Sequence, residues 1–559
     1  MMTPKNPAHN PLGGPALRSI FTWAVLASLI ASPAASAEEM KPAGEATLSL
    51  VEVVRRAAVD HPDVHIQAAT VKAARARVLQ RSGAFDVILS SSVGHDHVDT
   101  AFDSQEKEAY LIDSAHNERT QWRVAAEKLL DFGMTLQTVV QVERREQVGL
   151  EVTLTDESGV PTLQALPSVG RAHIALSATQ ALLRGRGTDT GPAALEAIAE
   201  LYAEAATHRL RHVQTSRALV AVSAYWDYVA AHRRLTILGA SEERARALLA
   251  EVQLLIDKDE RPAADAVHFS ALLADREASR SVAEIAVVRA RQALGLAMGL
   301  KDSAIPTLGP PRDDLPSPDP DWRLAPEGRA MLVERGVDAR ADLGAAQTEL
   351  KAAQRTVHVA DRSKEPRLDL QLTLGYSGLD ESTTAENLIT PLGGSIGGPD
   401  VSVALNFEWP VQNRAFEGAL ARQRALLERA QLAQDELERT IRAEIAAGAE
   451  TLDLQIRAYK AAKASVALHK QTVINQRRRL RSELSTAIDV LVTEERLTGA
   501  LLSELSSELR HAQALANLHF AAASILPKGG VDALGLDGLT QPPSPKELTA
   551  EPATQVDGN

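Results

Sequence analysis

Two intervals of this chain run far longer without proline than a compact domain requires: residues 193–261, interrupted by one glycine at Gly239, and residues 411–526. Proline removes a backbone donor and clashes with the preceding turn, so its absence leaves an α-helix free to continue. Within the second interval Leu484, Ile488, Leu491, Leu502, Leu505 and Leu509 fall on one helical face. A helix of ~65 residues is about 100 Å long and encloses no core of its own. Its apolar stripe must meet other helices in a bundle or coiled coil. Composition agrees, since aromatic residues make up only 3% of the chain while Ala, Leu, Arg and Glu dominate, a usage that suits long helices.

Shorter runs have a different period. Residues 87–93, 173–179, 368–374 and 401–407 alternate apolar and polar side chains, as half-buried strands do. Residues 122–128 and 134–142 flank Asp131-Phe132-Gly133 and read as a hairpin. Polar, Gly-rich stretches such as 381–400 separate the strands like exposed loops. The order also recurs. A helix from about Leu50 to Arg81 leads to strands and then long helices, and residues 338–359 lead to strands and long helices again. The run 262–267 echoes 486–491, each where a helical hairpin would turn, and a proline-rich tract at 306–326 parts the halves like a linker.

The N-terminus carries Lys5 and Arg18, an apolar run over 20–30, and Ala35-Ser36-Ala37 before Glu38, the order of a secretory leader spanning 1–37. That run is too short to span a bilayer, and no later stretch reaches the roughly 18–20 apolar residues of a transmembrane helix. Membrane insertion would therefore use strands. The chain has no cysteine, so disulfides cannot stabilise it and packing or assembly must. A net charge of −13 argues against a nucleic-acid partner.

Taken in order, these pieces resemble the TolC-like outer-membrane efflux protein family over residues 48–526. The resemblance is carried by Leu48-Ser49-Leu50 through His61-Pro62-Asp63-Val64, by Ala73-Ala74-Arg75-Ala76-Arg77 and Gly83-Ala84-Phe85-Asp86, by residues 175–187 ending in Arg184-Gly185-Arg186-Gly187, and by Trp409-Pro410-Val411-Gln412-Asn413-Arg414. It implies a mainly α fold with a β-barrel part. Duplicated long helical hairpins would form a periplasmic tunnel, and two strands per repeat would enter a trimeric transmembrane barrel, the candidate hairpin near Asp131 adding to that number. The division is then a leader at 1–37, a first repeat at 38–305, a linker at 306–326, a second repeat at 327–526 and a disordered tail at 527–559. The implied partners are two further copies, a periplasmic adaptor, an inner-membrane transporter and outer-membrane lipid, with no cofactor.

The resemblance puts the hairpin tips at residues 257–265 and 482–489. Asp259, Arg261, Asp265 and Ser485 become candidate adaptor contacts, and Asp489 and Glu483, with Arg477, Arg478, Arg479 and Arg481, candidate elements of a periplasmic gate. Three Asp489 carboxylates around a narrow axis would attract cations and resist close approach. The chain departs from the family in having Glu483 for the turn glycine and Val492 for a second acid. Asp489 reads equally as a helix N-cap, and the arginines as a solvated helix end suited to the dipole or as partners for acids on a neighbouring helix.

Three other signals carry less. His61-Pro62-Asp63 matches the tripeptide of chaperone-stimulating J-domains, but an exported chain has no use for it, and proline after a histidine between two helices accounts for it. His95-Asp96-His97 puts two imidazoles on one strand face without an evident third ligand. Ser, His and Asp residues are scattered without a nucleophile elbow or phosphate loop. The chain therefore reads as a passive exit duct and not as an enzyme. The alternative is a soluble periplasmic coiled-coil adaptor or scaffold, and the scarcity of aromatic residues counts against the barrel, whose rims usually carry them.

Overall fold

The computed structural model describes residues 47–110, 114–148, 151–155, 161–165, 168–258, 263–319, 322–381, 396–482, 484–527 and 533–542. The leader expected at 1–37 lies outside them. Helices α1 (Leu50–Val59) and α2 (Pro62–Ser82) open the chain. Ser49 caps α1 by accepting from the Glu52 N–H, and His61 caps α2 through Nδ1, which accepts from the Asp63 N–H. The His-Pro-Asp tripeptide is thus a helix start, with proline in the first turn where its missing donor costs nothing.

Strand β1 (Ile88–Ala101) follows, then α3 (Ser104–Tyr110), β2 (Ser114–Leu129), β3 (Met134–Val148), the small hairpin β4 (Glu151–Thr155) and β5 (Pro161–Ala165), and β6 (Val169–Ala181). The 67-residue α4 (Gly191–Asp257) and 34-residue α5 (Ala264–Ala297) complete the first half. After α6 (Pro326–Ala339) and α7 (Ala341–Arg362) come β7 (Arg367–Glu381) and β8 (Ile396–Glu408). The 68-residue α8 (Arg414–Arg481), 35-residue α9 (Ala487–Ala521) and short α10 (Asp537–Thr540) end the chain.

Six strands form one antiparallel sheet in the order β1-β2-β3-β6-β7-β8. The β6–β7 ladder joins the two halves of the chain, and β1 and β8 are the sheet's edges. The period-two runs all lie in these strands, and the hairpin expected around Asp131-Phe132-Gly133 is β2–β3. Gly133 has φ +88°, and a Cβ there would stand 2.1 Å from the Gly185 carbonyl oxygen, so the turn can press on the exit from β6 only as glycine. The β4–β5 hairpin is missed by the sequence reading, its strands being only five residues long. The strands also outrun their apolar centres: β1 takes in His95, Asp96 and His97 and ends at Ala101.

The main core lies where α1, α4 and the end of α9 meet, around Trp226, Tyr225, Leu50 and Leu294. The proline-rich tract is clasped to it and is no loose linker. The Tyr225 hydroxyl donates to the Leu48 carbonyl at 2.9 Å and to Asp313 Oδ2 at 3.0 Å, and Asp313 accepts from the Leu50 N–H. Tyr228 donates to the Gly309 carbonyl, and Leu315 is buried in the same cluster. A second core packs α6 on α8 and α9 through Leu332, Ile441, Ile445 and Leu515. Gly336 lets the helices approach closely there, because a Cβ would lie 2.4 Å from Ile445 Cδ1 and make that side chain shift. The tail read as disordered from residue 527 is ordered over 533–542. Leu534 and Leu539 join the main core, and His519 Nε2 meets the Gln541 carbonyl oxygen; three leucines in a short stretch broken by glycines give too weak a periodic signal to find.

Tyr225→Phe leaves the Asp313 and Leu48 groups short of a partner, so unfolding stability should fall by about 1–3 kcal/mol, checked by denaturant titration in detergent. Burial lowers the pKa of His511 to about 4, against a backbone hydrogen bond at Pro316 that works the other way. A depressed histidine gives stability that is present above its unfolded value near 6.5 and is lost as pH falls toward about 4. Wild type should therefore lose stability relative to His511→Leu over that window, by about 3 kcal/mol at most; parallel melting curves at pH 7.5 and 4.5 test this.

Candidate functional site

Side chains alternate across the sheet, and the register separates two unlike faces. On one, Val93 is opposite Trp122, Ile174 opposite Tyr376, and Leu176 opposite Leu374, which is opposite Val401. These positions are apolar yet exposed: Leu89 at 74%, Val401 at 68% and Phe407 at 64%. On the other, Ser92, Arg123, Gln141, His173 and Ser377 succeed one another across five strands. His173 Nδ1 meets Ser377 Oγ at 3.0 Å, and the Ser177 and Thr373 hydroxyls meet at 2.9 Å. A contiguous apolar face of this size is costly in water and marks contact with lipid or protein.

At their far ends the two long hairpins pack together. Leu248, Val252 and Phe269 of α4 and α5 bury with Ala487, while Leu480 and Leu491 close around them. Of the candidate adaptor contacts, Asp259 and Arg261 lie outside the described residues, as does Glu483 of the gate set, and Asp265 lies in the first turn of α5. Ser485 accepts from Gln476 Nε2 at 2.6 Å and donates to Asp489 Oδ2 at 3.2 Å.

Asp489 completes a capping box. Its carboxylate accepts from the Thr486 N–H at 2.9 Å and the Thr486 hydroxyl at 2.7 Å, while Thr486 Oγ1 accepts from the Asp489 N–H. These bonds hold its carboxyl below the usual carboxylate range. Arg477 binds Glu494 Oε1 of α9 at 2.7 Å, and Arg244 Nε of α4 holds Oε2 of the same carboxylate at 2.7 Å. Arg478, Arg479 and Arg481 are exposed. Arg479 acts on Asp489 by charge alone, and Arg478 and Arg481 have no ion pair among the described residues.

Glu494 escaped the sequence reading, although it is only 14% exposed and joins both hairpins. So did Glu242, which holds Arg246 of its own helix and Arg280 of α5. One signal could have found them. Antiparallel helices bring together residues at similar distances from the turn: Glu242 and Arg280 are so placed about the α4–α5 turn, and Arg477 and Glu494, to within one turn of helix, about the α8–α9 turn. Next to them Arg244 donates to Thr498, whose hydroxyl meets Ser241. The arrangement holds charge and clamps helices, and contains no nucleophile with a base.

The histidines of β1 are arranged differently from the sequence reading. His95 Nδ1 meets Thr120 Oγ1, while His97 lies with Asp99 and with His116 of β2, their donor atoms within 4.8 Å of one another. Of the two histidines in the local motif only His97 joins this group, which Asp99 and, from the adjacent strand, His116 complete.

No protein-family model matches the chain, and no curated protein is similar to it in sequence. Its fold is that of solved bacterial outer-membrane proteins. It is similar to the outer-membrane channel OprN at 16% identity, with 85% of this chain and 89% of that one covered and a TM-score of 0.60. The Campylobacter jejuni outer-membrane channel CmeC matches at 13% identity, 85% coverage of each chain and a TM-score of 0.59. The Vibrio cholerae outer-membrane protein VceC matches at 14% identity, 85% and 95% coverage and a TM-score of 0.58. At such identities the likeness is one of fold.

Thr486→Ala removes the cap of α9, and loss of such a cap costs about 1 kcal/mol. Amide exchange over residues 487–490 should accelerate roughly fivefold; unchanged exchange would show that packing against Leu248 and Phe269 alone holds this helix start.

Proposed function

We propose that the chain is an outer-membrane exit duct of the TolC-like kind, a passive channel for substrates delivered by an inner-membrane transporter and a periplasmic adaptor. The observation that carries this reading is the open six-stranded antiparallel sheet with one exposed apolar face, one polar face and two unpaired edges. In lipid every backbone polar group must be paired, so such a sheet is stable there only when its edges close on other copies. Strands of 13 to 16 residues exceed the roughly 9–11 needed to cross the hydrocarbon. Three copies, the number the resemblance implies, would close a barrel of three times six, or eighteen, strands, with the apolar face toward lipid and the polar face lining water. A soluble adaptor or scaffold would leave that apolar face in water, which tells against the alternative.

The helices would form the periplasmic tunnel. Residues 38–305 and 327–526 would be its two repeats, each with a long helix of 67 or 68 residues and a return helix of 34 or 35. Exposed apolar residues along α5 and α8, such as Val282, Ile285, Leu454 and Leu468, would be covered by the hairpins of neighbouring copies. The hairpin tips would serve as adaptor dock and gate. Asp259, Arg261, Asp265 and Ser485, with exposed Leu484 and Ile488, would meet the adaptor, and Arg478, Arg479 and Arg481 with Asp489 and Glu483 would set the charge around the narrow end. Glu494 would latch the closed state by holding Arg244 and Arg477 at once.

The full-length protein should fractionate with the outer membrane and run as a trimer on unboiled gels; a soluble monomer would discard the duct. In planar bilayers Glu494→Gln should raise single-channel conductance at least twofold, whereas an unchanged trace removes the latch and leaves the duct.

A further inference from the structure

We infer that β1 and β2 carry a site for a zinc-like divalent transition-metal ion, held by His97, Asp99 and His116. The pleat puts His97 and Asp99 on one face of β1, and the register sets Glu118 opposite His97 and His116 opposite Asp99. Directly opposed residues have Cβ atoms about 4.5–5.5 Å apart, so four donor side chains stand at the corners of one small patch whose backbone the ladder fixes. Asp99 Oδ1 touches His116 Nδ1 and lies 3.3 Å from His97 Nε2. The two imidazoles are nearly parallel, with centroids 6.2 Å apart.

Ligand atoms about 2.1 Å from a tetrahedral ion lie about 3.4 Å from each other. The His97–Asp99 spacing already has this value, and His116 need only back away from Asp99 to admit the ion. Glu118 takes a different part. Its Oε1 lies 3.4 Å from His97 Nδ1, the nitrogen turned away from Asp99, placed to accept an N–H there while Nε2 ligates. Metal-binding histidines are ordinarily oriented by such a carboxylate. Two imidazoles and one carboxylate suit Zn²⁺ and its neighbours better than Mg²⁺ or Ca²⁺. All four side chains are reachable from solvent, and the fourth ligand position is left to water. Bound metal would staple the edge strand β1 to β2, at the end of β1 remote from α2.

The test is calorimetric titration of untagged, chelator-treated full-length protein in detergent with Zn²⁺, and with Co²⁺ as the spectroscopic probe. Wild type should take up about one Zn²⁺ per chain and give a Co²⁺ visible band characteristic of imidazole ligation. Removing a partner that only orients a ligand weakens binding about 10- to 100-fold, so His97→Ala and His116→Ala should each weaken it at least about tenfold, and Glu118→Gln about tenfold. His95→Ala, which faces Thr120, should bind as wild type does. Circular dichroism and the unboiled gel report whether each variant folds. No uptake by wild type, or equal uptake by a folded His97→Ala/His116→Ala double variant, overturns the site. Neither outcome touches the duct reading, which is tested by membrane fractionation and the trimer band of the wild type.

Discussion

Neither of the two longest helices can stay dry on one side without the other elements. Helix α4 packs on α1, α2, α5, α7 and α9 along its length, and α8 packs on α6, α7 and α9. The hydrophobic contact that decides the matter is the one between α4 and α9, because it joins a hairpin of the first half to a hairpin of the second. Trp226 and Tyr225 sit at its base, Ser241 and Thr498 lie midway, and Val252 with Ala487 close its tip. Dispersion and area burial along such a seam are individually small and collectively dominant. The sheet depends on it too, since β6 and β7 can pair only if the halves are already side by side.

Charge sits along the same seam and within the α4–α5 hairpin beside it. Glu494 serves two arginines, Glu242 serves two more, and Arg233 holds Glu508. Half-buried pairs of this kind contribute little net stability, because desolvation offsets most of the attraction. What they supply is register, as an unpaired carboxylate at these depths is costly in any other alignment of the helices. The junction of α6 and α7 uses the same device: Arg340, 8% exposed, pairs with Asp342 and Glu444 and lies over the Phe520 ring.

Much of this was legible from the sequence because the strongest signals were long. Proline-free intervals bounded α4, α8 and α9, and period two located six strands. The readings that needed correction involve few residues or distant partners. Leu484, Ile488 and Leu491 keep helical spacing, yet Leu484 lies in the turn before α9 and it and Ile488 are exposed, since periodicity identifies a face without saying what covers it. Asp489 was assigned two readings by position alone, and its capping bonds occupy the carboxylate locally. Glu494, Asp99 and His116 were missed, because each acquires its partners across a hairpin or a ladder, although pairing about the α8–α9 turn offers a signal for Glu494.

In the proposed duct the β2–β3 hairpin would have a hydraulic consequence. With strands about 4.8 Å apart and tilted about 40°, eighteen strands enclose a backbone circle about 35 Å wide, whereas twelve, from the four strands per copy that the resemblance implies, enclose about 24 Å. In a tube of varying bore the narrowest segment sets the flow, so widening the mouth leaves it nearly without resistance. Transit time would be governed almost wholly at the opposite end, where Glu494 and its arginines lie. The extra strands would then alter what the outer surface displays and how much lipid it displaces, while leaving throughput to the helices.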